Sequence, residues 1–336
     1  MTKQLRNSRI AGVGHYVPEK VVKNADLEGL MDTSDAWIVE RTGIHERRYF
    51  EPGKDTTANM GTRAAQLAME RAGVEAKDID LIIFATLSPD YFFPGPGVLM
   101  QRELGLTTTP ALDIRNQCSG FVYALSVGDQ FIKTGMYNNV LVVGSEIQSS
   151  GLDFTTRGRA VSVIFGDGAG AAVLVPEENL EKGILSTHLH AQGEFAEELA
   201  ATDPSSNKPQ RLTHEMIDEG TIYPYMNGST VFKHAVTRFP EVINEALTQN
   251  GLQATDIDLL VPHQANLRIT QFIQQKMGLP EEKVMSNIQK YGNTTAASIP
   301  IAFSEAFEQG KIKEGDLICL AAFGSGFTWA SALIRW

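Results

Sequence analysis

The chain repeats itself, and that limits its folds more than any other feature. RAGVEAKDIDLIIFATLSP, in which a small-residue helix ends at Gly73 and a strand begins near Ile79, returns as QNGLQATDIDLLVPHQAN with Gly251 and Ile257 in the same places. The shared DIDL starts at Asp78 and Asp256, an offset of 178, and the helix upstream agrees: Ala64, Ala65, Ala68 and Met69 map onto Val242, Ile243, Ala246 and Leu247. One apolar face repeated at helical spacing implies two related units that bury the same side. A weaker echo joins FGDGAGAAVLV from Phe165 to FGSGFTWASALI from Phe323 at an offset of 158. The difference of 20 implies an extra excursion in the first half, expected within 85–112. With 336 residues there is room for two packed halves, expected at 1–180 and 181–336. Strands interleaved with helices in each predict a layered α/β fold with helices over both faces of mixed sheets. VLVVGSEI from Val140 and DLICLAAFG from Asp316 read as buried strands.

Composition excludes several function classes. A net charge of −11 argues against nucleic acid as a general partner. No stretch approaches the roughly eighteen uninterrupted apolar residues of a membrane span, and MTKQLRNSRIAGVGHYVPEK lacks the apolar run of an export signal. A soluble, cytoplasmic protein without a membrane partner is expected. The two cysteines, Cys118 and Cys319, are too few for a metal cluster, and a disulfide is not expected. GVGHYV at Gly12 lacks the third glycine of a dinucleotide fingerprint, and GDGAGA at Gly166 leads into a strand rather than a helix. His188 and His190 stand at strand spacing without a companion carboxylate in sequence, so both read as structural.

Cys118 is the candidate nucleophile. It lies in DIRNQCSGFVYALSVGDQF, where a polar turn hands over to the helical run Phe121, Val122, Ala124, Leu125, Val127 and Phe131. A thiol at a helix N-terminus meets unpaired backbone N–H groups and the positive end of the dipole, so its pKa is expected below about 8.5. The competing reading is a buried structural cysteine, the commoner fate of a lone Cys. In the second half His263 ends the strand DLLVP, and Asn293 stands in the polar turn YGNTTAAS. Strand ends gather sites in layered α/β folds, although a strand-end His or a turn Asn is more often structural.

Together these segments resemble the β-ketoacyl-acyl carrier protein synthase III family of thiolase-fold condensing enzymes. The resemblance rests on MDTSDAWIVERTGI, NQCSGF, IFGDGAGA, VPHQAN, YGNTTAAS and FGSGFTW, ordered along nearly the whole chain. It implies a duplicated five-layer fold of alternating helix and mixed-sheet layers, usually homodimeric. It implies a catalytic Cys118, His263 and Asn293, with an oxyanion hole from the backbone N–H groups of Cys118 and Ser325. Cys118 would take an acyl group from acyl-CoA, and malonyl-acyl carrier protein would then lose carbon dioxide and attack that thioester, with no metal or other cofactor. For CoA the resemblance assigns Thr33, Trp37, Arg41 and Arg157, with Trp37 and Arg157 on opposite faces of the adenine. Gly228, Phe232 and Asn266 align with the pantetheine tunnel, Lys233 and Arg268 with the patch that docks the acidic carrier protein. Phe93 aligns with the residue closing the acyl pocket across the dimer.

Three features depart from the family pattern. Ser325 replaces a glycine, which narrows the pocket or demands a different φ. Gln117 stands where small residues are commoner. The acidic, proline-bearing stretch 187–226 is a longer excursion, read either as a lid or as a surface loop. The leading function is decarboxylative condensation that initiates fatty acid synthesis. The alternatives are the same chemistry in a polyketide, resorcinol or other lipid pathway, plain acyl transfer by Cys118, or an inert partner subunit. Retention of His263 and Asn293 opposes plain transfer, and an intact Cys118 opposes the inert subunit.

Overall fold

The computed structural model describes residues 6–336; the first five, where the stretch read for an export signal begins, lie outside the described residues. The first pass of the chain runs β1 (Asn7–Tyr16), β2 (Val21–Lys23), α1 (Asn24–Glu28), α2 (Asp35–Thr42), β3 (Glu46–Arg48), α3 (Thr57–Ala72) and β4 (Leu81–Ala85). It continues through α4 (Pro96–Glu103), β5 (Ala111–Ile114), α5 (Gly120–Lys133), β6 (Val140–Glu146), α6 (Arg159–Ser162) and β7 (Gly168–Glu177). The second pass runs β8 (Gly183–Ala191), β9 (Leu199–Ala200), α7 (His214–Glu219), β10 (Tyr225–Met226), α8 (Gly228–Gln249) and β11 (Leu259–Pro262). It ends with α9 (Leu267–Met277), α10 (Ile288–Tyr291), α11 (Ser298–Glu308), β12 (Leu317–Gly324) and β13 (Thr328–Arg335).

Two mixed sheets form, ordered β1-β7-β6-β4-β5 and β8-β13-β12-β11. The repeat is visible in their registers. Leu81 pairs with Val140 in the first sheet and Leu259 with Ile318 in the second, both parallel and both at the offset of 178. Short 3-10 turns at Ala76–Asp78 and Ala254–Asp256 sit at that offset too, as do the left-handed Gly73 and Gly251. A single parallel bridge between Leu260 and Val284 is what the second half has in place of β5.

Strand alternation builds the layers. Ile83, Ala85 and Val142 face α5 and α11 in the middle of the molecule, as do Val261, Leu320 and Ala322 of the other sheet. Ile82, Phe84 and Val143 turn outward under α3, while Leu260, Cys319 and Ala321 turn outward under α8 and α9. The result is five layers: α3 and α4, a sheet, α5 and α11, a sheet, α8 and α9. α5 carries Gly120 and Gly128 inside it, each weakening a helix by about 0.5–1 kcal/mol. Burial of Phe121, Val122 and Leu125, worth roughly 1.5–3 kcal/mol each, outweighs that. The glycines of GVGHYV are explained by the α3 crossing, because a Cβ at Gly12 or Gly14 would lie 2.3 Å from the carbonyl oxygen of Ala68 or Ala64.

Three expectations are corrected. The excursion of the first half lies between β6 and β7, where residues 147–167 stand against only 325–327 between β12 and β13, and not within 85–112. The FG-x-G echo misplaced it, because Val140 pairs with Leu174 and Ile318 with Ile334, an offset of 160 for these strands rather than 158. The stretch read as an excursion from 187 begins only after Ala191, since residues through Ala191 pair with β13. His188 and His190 do have a carboxylate between them: Glu245 of α8 lies 3.4 Å from His188 Nδ1 and 2.6 Å from His190 Nε2. Among the described residues no helix is long and apolar enough to cross a membrane.

Candidate active site

Cys118 stands in a 3-10 turn, Gln117–Ser119, that runs straight into α5. Gln117 reaches this turn with φ of 41°, a left-handed conformation unusual for a residue with a Cβ. The backbone N–H groups of Ser325 and of Cys118 itself are directed at the sulfur. Cys118 is nevertheless only 6% exposed, and burial pushes its thiol up to about 12, with the nearby Glu146 carboxylate as the second cause. The expected depression is therefore overturned. A helix terminus is worth at most about 2 kcal/mol, some 1.5 pKa units, whereas full burial moves a group by up to roughly 3–5. The resting group is a thiol.

His263 follows β11 as predicted. Its Nδ1 is 2.5 Å from Ser298 Oγ, at the first residue of α11, and that oxygen also accepts the Gln264 N–H at 3.2 Å. Nε2 is buried with no hydrogen-bond partner among the described residues. Burial drops the ring pKa to about 3, so the imidazole is neutral. Asn293 is fixed from both sides of its peptide: its N–H donates to Ile164 O at 2.9 Å and its carbonyl accepts from Gly166 N–H at 3.0 Å. The IFGDG segment thus holds the asparagine turn. Thr295 N–H donates to Asn293 Oδ1 at 2.9 Å, which commits the oxygen of the amide and leaves Nδ2 on its other side.

Cys118, His263 and Asn293 line one cavity of about 140 Å³, and the tunnel candidates Gly228, Phe232 and Asn266 line it with them. On its other side Cys118 opens into a cavity of about 520 Å³ bounded by Gln117, Phe92, Thr295, Asp203, Pro224 and Ser325. The nucleophile candidate therefore sits at the junction of two spaces. Phe93 does not line either cavity and is 79% exposed. Ser325 adopts no left-handed φ, and its hydroxyl donates to Leu199 O on β9, so the side chain turns toward the 192–226 excursion. That excursion supplies Leu199, Ala200, Ala201, Asp203, Pro204 and Pro224 to the wall of the larger cavity.

A second cluster surrounds Trp37 of α2. The guanidinium of Arg41 lies 4.4 Å from its ring and that of Arg159 4.8 Å. Arg157, expected opposite Trp37, is held elsewhere: its Nε donates to Asp153 at 2.6 Å and its Nη1 to Asp218 O at 2.8 Å. From this segment it is Arg159 that lies over the Trp37 ring. Thr33 is half-buried, with Oγ1 unpartnered among the described residues. Asn266 caps α9 and donates to Arg41 O at 2.9 Å, tying α9 to α2. Lys233 and Arg268 are exposed, and neither has a carboxylate within salt-bridge distance among the described residues. Sequence reasoning missed Arg159, Ser298 and Glu146. Only Glu146 carried a signal, as a lone carboxylate in the apolar run VLVVGSEI.

Comparison with known proteins bears on the whole chain. Residues 112–193 match the family described as 3-oxoacyl-[acyl-carrier-protein] synthase III, and residues 247–336 match its C-terminal family. The β-ketoacyl-[acyl-carrier-protein] synthase III of Methylococcus capsulatus is 46% identical over 331 residues, covering 98% of this chain and 99% of that one. The crystal structure of 3-oxoacyl-[acyl-carrier-protein] synthase III from Aquifex aeolicus superposes with a TM-score of 0.89 at 43% identity, covering 98% of this chain and 100% of that one. The priming β-ketosynthase of the R1128 polyketide pathway superposes with a TM-score of 0.90 at 32% identity, covering 100% and 98%. The chain belongs to the β-ketoacyl-[acyl-carrier-protein] synthase III family, the condensing acyltransferases of thiolase fold.

Proposed function

We propose that this enzyme joins an acyl-CoA primer to malonyl-acyl carrier protein, releasing carbon dioxide and CoA, and so starts fatty acid synthesis. The observation that carries the division of roles is the pairing of a neutral, open His263 Nε2 with an Asn293 amide whose oxygen is committed, both on the cavity of Cys118. In the first half-reaction the Cys118 sulfur attacks the acyl carbonyl, the bond to the CoA sulfur breaks, and the thiol proton leaves on CoA. The oxyanion lies on the N–H groups of Cys118 and Ser325. In the second, the malonyl C–COO⁻ bond breaks and its electron pair becomes an enolate. Ser298 Oγ, already accepting from Gln264, donates its O–H hydrogen bond to His263 Nδ1, which fixes the neutral ring's own proton on Nε2; that N–H and Asn293 Nδ2 meet the enolate oxygen. The enolate carbon attacks the thioester, the bond to the Cys118 sulfur breaks, and the sulfur takes a proton from solvent, its first having left on CoA. No cofactor takes part beyond the acyl-CoA substrate.

Trp37, with Arg41 and Arg159, holds the adenine and phosphates of CoA, Thr33 flanks them, and Gly228, Phe232 and Asn266 line the path to Cys118. Lys233 and Arg268 receive the acidic carrier protein. The enzyme works as a homodimer in the cytoplasm. The dimer reading is supported by the free edge of β5 and by Tyr91, Phe92 and Phe93, which are 53%, 60% and 79% exposed in a single chain. Division at 180 and 181 into nucleophile-bearing and His/Asn-bearing halves falls between β7 and β8. Identity of 46% to a relative named for the carrier-protein synthase, against 32% to the polyketide priming enzyme, favours fatty acid initiation. Incubation with acyl-CoAs from acetyl to dodecanoyl, with intact-mass detection of acyl-Cys118 and then addition of malonyl-acyl carrier protein, tests this. Labelling by short primers followed by a β-ketoacyl product is expected; labelling without condensation would overturn it.

A further inference from the structure

Glu146 ends β6 with its carboxylate fully buried. It gathers donors from three segments that bound the Cys118 site. Thr86 Oγ1 donates at 3.0 Å, Leu87 N–H at 3.2 Å, Ser88 N–H at 3.2 Å and Ser88 O–H at 2.5 Å, all from the loop after β4. Gln148 Nε2 donates at 3.1 Å, and Ala296 N–H, in the turn that carries Asn293, donates as well. Leu87 and Gln148 line the larger cavity beside Cys118, together with Thr295 next to Ala296. A shell made only of donors is built for the anion. No lysine or arginine pairs with it among the described residues. The titratable groups around it are Cys118, ahead of α5, and Asp167, which heads β7 and binds Gln148 N–H at 2.7 Å.

We propose that Glu146 is a positioning residue of the condensation: one buried carboxylate locks the 86–88 loop, Gln148 and the asparagine turn into the wall of the Cys118 site. Burial pushes Glu146 itself up to about 7 against the pull of its donors, and its charge is one of the causes that raise Cys118. The proposal rests on Cys118 as the nucleophile, and the alkylation arm of its test does not require acyl-CoA.

The test follows Cys118 alkylation by iodoacetamide across pH 6.5–9.5 by intact mass, with fully buried Cys319 as an internal control. Glu146→Gln turns an amide N–H₂ toward these donors and is expected to loosen the wall, so that Cys118 alkylates at least about tenfold faster than in the parent at pH 8. An alkylation rate within twofold of the parent overturns the locking of the wall. Glu146→Asp keeps the charge but shortens the reach. It is expected to retain KM for acyl-CoA and to lose at least about tenfold in kcat as the loops part. Acylation by Glu146→Asp within twofold of the parent overturns the positioning part, and this arm decides the matter if Glu146→Gln does not fold. Failure of every acyl-CoA to label the parent would refute the condensing reading and leave the alkylation result standing.

Discussion

Gly324→Ala is the smallest change that reaches the nucleophile. A Cβ built at Gly324 lies 2.5 Å from Cys118 Cβ, 3.0 Å from Sγ and 3.2 Å from Cys118 N, against roughly 3.5–4.0 Å for comfortable carbon contacts. Relief requires about 1 Å of movement, and little can give. Gly324 ends β12, whose residues are all buried, and it pairs with Thr328 of β13. The turn on the other side already holds Gln117 in a left-handed conformation. Overpacking of this kind costs about 1–3 kcal/mol of stability. Displacing the sulfur by about 1 Å from the Ser325 and Cys118 N–H groups costs roughly a hundredfold in acylation, a barrier change of about 2.7 kcal/mol. The assay is the rate of acyl-Cys118 formation by intact mass with a thermal melt on the same sample, and Gly151→Ala as control, where nothing lies within 4 Å of the added Cβ. A folded Gly324→Ala enzyme that acylates within about threefold of the parent would refute the claim that Gly324 is reserved for the sulfur.

Other perturbations separate the parts of the site. Arg159→Ala should raise KM for acyl-CoA about tenfold, the scale of a partly desolvated cation–π contact, and leave a truncated thioester lacking the nucleotide unchanged. Arg157→Ala should leave KM within about threefold, because its side chain is committed to Asp153 and Asp218; the reverse order would restore the original assignment. His263 has its pKa lowered to about 3, so it is charged only below that value, and it should contribute no ionisation limb to condensation on pre-acylated enzyme between pH 5 and 8. A limb near pH 6.5 that persists in Glu146→Gln would mean a solvated, charging imidazole, because Glu146 itself is pushed up to about 7. Asn293→Ala should spare acylation and stop decarboxylative condensation, read as acyl-Cys118 that accumulates in the presence of malonyl-acyl carrier protein.

The duplicated architecture was legible because both copies must solve the same burial problem. Ala64, Ala65, Ala68 and Met69 are as buried under the first sheet as Val242, Ile243, Ala246 and Leu247 are under the second, and apolar periodicity records such a face directly. The position of Cys118 was legible for a local reason, since a polar turn and an apolar helix adjoin in the chain. What failed were quantities set by residues far away in sequence. Glu245, which joins His188 to His190, is 55 residues from His190 and lies on another element, so strand spacing alone could not place a carboxylate there.

The same reasoning explains why the errors cluster at the site. Local sequence places Cys118 at the head of a helix and so suggests a lowered pKa. Its burial, however, is made by Gly324 on β12 and by the crossing of the two halves, and burial is the larger effect. Arg157 and Arg159 lie in one short segment, RGRAV, and differ only in which side chain the Asp153 and Asp218 contacts hold and which they leave over Trp37. A shift of two residues is invisible to a motif yet moves a cation from one face of a turn to another. Glu146 shows the converse. A lone carboxylate in a strand whose every residue is buried is costly unless donors surround it, so its presence in the sequence already required a shell such as the one Thr86, Ser88 and Gln148 provide. Sequence could demand the shell, but only the fold could show that it is the wall of the Cys118 site.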